Sequence, residues 1–147
     1  MVYVTVYSTR AVYAPPGACI GCEGEANASV VRWRMPRVID GVDMSACRMQ
    51  VNYANAEGTG DVAEVASPAI GEKHIDLDWR VSALARAKAG IVSAGLELTG
   101  EDEDGAPIVF RSKPARFCVA SPHPDEDPSG PSLIDADGVT VIAKEVG

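Results

Sequence analysis

The chain has 147 residues, 46% of them hydrophobic and 23% charged, which is the size and balance of one globular domain with one core. A chain of this length buries roughly 68–70% of the surface its unfolded form exposes, so neither disulfides nor a structural metal are needed for folding. Twenty-one acidic against thirteen basic residues leave a formal charge of −8, which argues against a phosphate-neutralising surface and hence against nucleic-acid partners.

The opening MVYVTVYSTR lacks a positive region followed by a long apolar run, and no apolar stretch approaches the roughly 20 residues of a membrane span. The expectation is neither export nor membrane insertion. Within that opening, Val2, Val4 and Val6 alternate with Tyr3 and Thr5, the period of a half-buried strand, until Pro15-Pro16-Gly17 breaks the chain. Cys19-Ile20-Gly21-Cys22 follows and reads as part of a Pro/Gly loop. Next, Val31, Trp33 and Met35 share one face and Val30, Arg32 and Arg34 the other, with Pro36 closing the strand.

A third strand sends Cys47, Met49, Val51 and Tyr53 one way and Arg48, Gln50 and Asn52 the other, ending in the turn Asn55-Ala56-Glu57-Gly58. After a weaker strand at 61–65, Ile75, Leu77 and Trp79 point inward from the clearest strand of the chain. Val81, Leu84, Ala85 and Lys88 then have helical spacing, which predicts one or two helical turns stopped by Gly90. Val92, Ala94, Leu96 and Leu98 form an inward row that runs into the acidic turn Glu101-Asp102-Glu103-Asp104-Gly105. A hairpin partner follows at 108–111, and a last strand at 115–119 turns Phe117 and Val119 inward.

About seven short strands with one short helical connection predict an all-β fold, an immunoglobulin-like antiparallel sandwich over residues 1–121. Residues 122–132 are rich in proline and acid and read as a linker. Residues 133–147 read as a C-terminal arm or added strand, with Leu133, Ile134, Val139, Val141 and Ile142 as interface candidates that dock on a neighbouring copy or another protein.

The chemistry available is sparse. Cys19 and Cys22 are the candidate metal or thiol-exchange pair, but a tetrahedral site would also need Cys47 and Cys118, and strand parity turns those two to opposite faces. His74 and His123 are the two imidazoles, and neither accompanies a nucleophile motif. The carboxylates at 101–104 and 125–127 lack the spacing of a calcium loop and read as solvated turns. Trp33 and Trp79 share parity with apolar neighbours and read as core, whereas Tyr3, Tyr7 and Tyr13 lie on or beside an edge strand and read as interface residues. No enzyme, cofactor or metal is expected. The alternative is a small cytosolic metal- or thiol-dependent protein built on Cys19 and Cys22.

Several short segments, in this order, carry a resemblance: Glu25-Ala26-Asn27-Ala28, Gly41-Val42-Asp43-Met44-Ser45, Val51-Asn52-Tyr53-Ala54-Asn55-Ala56-Glu57-Gly58, then 75–79, Lys88-Ala89-Gly90, Asp104-Gly105 and Phe110-Arg111-Ser112 before Ala115-Arg116-Phe117-Cys118-Val119. Over residues 1–121 this order resembles the N-terminal domain family of the phage baseplate upper protein. The chain has Phe110-Arg111 where the family usually has a tryptophan, and a CxxC where its loop is ordinarily free of cysteine. The resemblance implies a non-catalytic virion structural module of baseplate, tail, capsid surface or head fibre. It would be made in the host cytoplasm and would assemble by contacts with other virion proteins and, as a homo-oligomer, with its own copies.

Overall fold

The computed structural model describes residues 1–26, 29–65 and 67–122. The predicted linker and arm, with Leu133, Ile134, Val139, Val141 and Ile142, therefore lie outside the described residues, as does His123. The described part is an all-β sandwich. Its strands are β1 (Val2–Val6), β2 (Val12–Tyr13), β3 (Cys19–Cys22), β4 (Val30–Pro36), β5 (Val38–Ile39), β6 (Val42–Asp43), β7 (Arg48–Ala54), β8 (Gly60–Glu64), β9 (Ala69–Ile70), β10 (His74–Arg80), β11 (Gly90–Glu101), β12 (Pro107–Arg111) and β13 (Ala115–Ala120).

One sheet has the order β2-β1-β4-β10-β9 and the other β3-β13-β11-β7-β8, while β5 and β6 form a separate ribbon. The twelve-residue β11 organises the second sheet. One of its edges pairs first with β13 and then with β12, and Ser112 closes the gap between them by accepting the Leu96 N–H at 3.0 Å. The other edge pairs with β7.

The period-2 rows predicted from sequence are the rows that face each other across the sandwich. Val31, Trp33 and Met35 of β4 and Ile75, Leu77 and Trp79 of β10 meet Val92, Ala94, Leu96 and Leu98 of β11, with Met49, Val51, Tyr53, Phe117 and Val119, in one core. Trp33 packs edge-on to Phe117 with ring centroids 6.2 Å apart, and Trp79 lies 5.4 Å from Tyr53 and 6.2 Å from Phe117, so aromatic contacts tie the two sheets together.

The structure corrects four expectations. First, the sheets are mixed: β1 pairs parallel with β4, and β3 pairs parallel with β13. Alternation dictates which face is buried but not the direction of the neighbour. Here the connection from β1 to β4 carries β2 and β3, long enough for a parallel crossover. Second, the seven expected strands become thirteen, because two-residue ladders such as β2, β5, β6 and β9 leave no readable period.

Third, the helical connection shrinks to a single 3-10 turn, Leu84–Arg86. Gly90 does not stop it but opens β11, at φ +137° and so close to Ala56 that a Cβ there would stand 2.8 Å from the Ala56 Cβ. Fourth, the CxxC is not a loop. It is the edge strand β3, and its Cys19 is the register partner of Cys118.

A candidate interaction surface

The outer face of the first sheet is built by the residues between the buried ones. With Val4 and Val6 of β1 inside, Tyr3 and Thr5 point out, and register places Tyr3 beside Arg32, Thr5 beside Arg34, and Tyr13 beside Thr5. Across β4, Arg32 lies opposite Asp78 and Arg34 opposite Asp76. Two cross-strand rows result, Tyr3-Arg32-Asp78 and Tyr13-Thr5-Arg34-Asp76.

Each charged pair in these rows is a two-pronged fork. Arg32 donates from Nε and Nη2 to the Asp78 carboxylate at 2.7 and 2.9 Å, and Arg34 donates to Asp76 at 2.8 and 3.1 Å. The tyrosines are open to solvent, Tyr3 60% and Tyr13 55% exposed, with Tyr7 similarly open just beyond β1. A shallow depression of about 280 Å³ lies among Tyr3, Val4, Thr5, Arg32, Arg34 and Asp76. Fixed guanidinium planes and exposed aromatic rings both present large area with few rotamers left to freeze.

The outer face of the second sheet also carries paired polar groups, and it leaves Val62, Ile91 and Val109 exposed. Glu97 accepts hydrogen bonds from Asn52 at 2.7 Å, Gln50 at 3.1 Å and Arg111 at 3.2 Å, and Arg48 pairs with Glu64 at 2.7 Å. These polar groups satisfy one another, and no aromatic ring stands among them.

The forks set the titration of their members. Hydrogen bonds from Arg34 and Arg32 hold Asp76 and Asp78 below the usual carboxylate range, and Arg37, which donates from Nε and Nη2 to the Asp43 carboxylate at 3.2 and 3.1 Å, does the same to Asp43. Glu97 is lowered chiefly by the Asn52 amide. In the unfolded chain these carboxyls take up protons near about pH 4 while the folded ones do not, so acid favours unfolding. The stabilisation is full above about pH 5 and is lost as pH falls through the lowered folded-state values; exposure keeps each pair's share small. Urea midpoints recorded on acidification should hold level and then decline, and Asp76→Asn with Asp78→Asn should make the decline shallower. A midpoint that rises on acidification would contradict the assignment.

The other sequence candidates fall as follows. Cys19 is exposed and Cys22 half-buried, and among the described residues no group of three or more His, Cys, Asp or Glu side chains could hold a metal ion. Cys47 sits apart, its thiol pushed up by burial. His74 is exposed at the start of β10. Asp102 is engaged in its own turn, accepting the N–H groups of Asp104 and Ala106 at 2.9 and 2.8 Å.

Strand parity turns Arg32 and Arg34 outward without pairing them, and the helical spacing of the segment after Trp79 passes over Arg86 altogether. Arg86 is fully buried and donates to the Ile20 and Val81 carbonyls and the Ser29 hydroxyl. The signal was there in part: Arg86 stands inside a segment whose Val81 and Ala85 are core residues.

No protein-family model matches the chain, and no curated protein matches it. Among solved structures it is similar to the N-terminal domain of phage TP901-1 ORF48, with a TM-score of 0.50 and 15% sequence identity, over 80% of this chain and 96% of that one. That likeness is one of fold.

Proposed function

We propose that this chain is a non-catalytic structural module of a phage particle, made in the host cytoplasm and built into the virion by protein–protein contacts through the outer face of its first sheet. The observation that carries the reading is the pair of rows in which exposed Tyr3 and Tyr13 lie in register with two-pronged Arg–Asp forks, aromatic rings that the outer face of the second sheet lacks among the described residues. The phage setting is supported by the fold likeness to a phage domain and by the ordered segments that resemble baseplate upper proteins.

Other virion proteins are the proposed partners, and repeated copies of the chain use the same face at each position. The C-terminal positions Leu133, Ile134, Val139, Val141 and Ile142, outside the described residues, are proposed as a second contact with a neighbouring copy or another virion protein.

Peptide mass spectrometry of purified particles tests the setting: the chain should be present in fixed stoichiometry, and its absence would overturn the virion reading. Tyr3→Ser with Tyr13→Ser tests the face. Loss of exposed aromatic anchors at the centre of a contact should weaken incorporation about tenfold or more, with the melting temperature unchanged. Undiminished incorporation would move the contact elsewhere.

A further inference from the structure

The edge strand β3 runs parallel to β13, with Cys19 and Cys118 as direct register partners and the Cys118 N–H donating to the Ala18 carbonyl at 2.7 Å. Ile20 is buried on β3, and Phe117 and Val119 are buried on β13, so Cys19 and Cys118 both belong to the outer face. The ladder then slips by one residue at Gly21, whose φ of +126° carries the bulge, and Ala120 meets Cys22. The bulge returns Cys22 to the outer face as well, so three of the four free thiols border one strand pair.

From this placement we infer that Cys19 and Cys118 are a modification site, a dithiol that a low-molecular-weight disulfide such as oxidised glutathione closes into a cross-strand disulfide. Neighbouring strands stand about 4.8 Å apart, within the roughly 4.4–6.8 Å between Cα atoms that a disulfide spans. Cys19 is exposed and meets the oxidant first, while Cys118 is half-buried beside it. The Cys19 thiol donates to the Gly21 carbonyl at 3.4 Å, a weak local bond that must open before reaction.

In the first step deprotonated Cys19 attacks one sulfur of the oxidant, forming a mixed disulfide and expelling one glutathione thiolate. Deprotonated Cys118 then attacks the Cys19 sulfur, and the second glutathione thiolate leaves. Two electrons pass from the protein to the oxidant, and the protons shed by the two cysteines end on glutathione or in solvent. The bond closes a loop of about 100 residues, the length range in which cross-linking restricts the unfolded chain most. Only the timing rests on the virion reading: chains are reduced in the cell, and the bond closes on release into an oxidising medium.

The full chain, folded and reduced, is incubated with oxidised glutathione, alkylated and mapped by peptide mass spectrometry under non-reducing conditions. The expected result is a Cys19–Cys118 bond within one chain, two of four thiols lost, and a melting temperature raised by several degrees that returns on reduction. Cys22→Ser and Cys47→Ser should oxidise as the wild type does, whereas Cys19→Ser and Cys118→Ala should gain no stability. Since Cys118→Ala could disturb the strand, its reduced melting temperature is measured alongside, and Cys19→Ser at the exposed position gives the same answer independently. A bond mapped to Cys19–Cys22, links between chains only, or a stable glutathione adduct on Cys19 would each overturn the inference.

Discussion

Trp79→Ala should lose roughly 3–5 kcal/mol of stability, the range for truncating a fully buried aromatic side chain. The indole is 1% exposed on β10, yet it touches Tyr53 of β7 and Phe117 of β13, so its removal opens a void where the two sheets meet. The surrounding strands cannot collapse into that void without breaking ladders on both sides, which places the cost toward the upper end of the range. For a domain of this size the loss corresponds to a melting temperature lower by roughly 6–20 °C.

The indole N–H is buried without a hydrogen-bond partner, so Trp79→Phe removes volume but no bond. It should be much milder than alanine. Urea unfolding of both variants tests the account: alanine close to wild type would mean the ring does not join the sheets, and phenylalanine as damaging as alanine would mean that a polar role of the N–H had been missed.

How much of this was legible beforehand follows from which interactions are local. The inward rows of β4, β10 and β11 were readable because each is long enough to show its period and is bounded by proline, glycine or acidic turns. Strand direction was not readable. The pairing of β1 with β4 depends on where a long connection returns, and no residue of β1 encodes it.

The same limit applies to the candidate surface. Arg32, Arg34 and Asp76 could be turned outward from parity alone, but their forks depend on the register between β4 and β10, which lie forty residues and more apart in the chain. At β3 the bulge at Gly21 breaks the alternation within four residues, so Cys-Ile-Gly-Cys reads as a loop, and its pairing with Cys118 is visible only once the edge is assembled. The spacing of Val81, Leu84, Ala85 and Lys88 misled for a further reason. Val81 and Ala85 are buried as a helix face would be, but the segment is held by a side chain that period analysis treats as solvent-exposed.

That side chain gives the second large expected effect. Arg86 is 0% exposed, and it joins four parts of the fold: its own 3-10 turn, β3 through the Ile20 carbonyl at 3.3 Å, the approach to β4 through the Ser29 hydroxyl at 3.3 Å, and the end of β10 through the Val81 carbonyl at 2.8 Å. Gly21 makes room for it, since a Cβ at that position would stand 2.9 Å from both Cδ and Nη1 of Arg86. Its charge faces Glu25 at 3.8 Å, a carboxylate that also accepts the Cys22 N–H at 2.9 Å.

Arg86→Ala should therefore cost about 3–5 kcal/mol, because it strands buried carbonyls and leaves a void together. Arg86→Met keeps the length and removes the buried charge, so it should recover part of that loss. Arg86→Lys should fall short of methionine, since a compact, strongly hydrated ammonium cannot reach acceptors set for a planar fork. Glu25→Gln, at a half-exposed partner, should change stability by less than about 1 kcal/mol. Denaturant midpoints for the four variants give the ranking, and hydrogen exchange at β3 locates the damage. A wild-type midpoint for Arg86→Ala would show that the strand edge bearing Cys19 and Cys22 is held by the ladder to β13 alone.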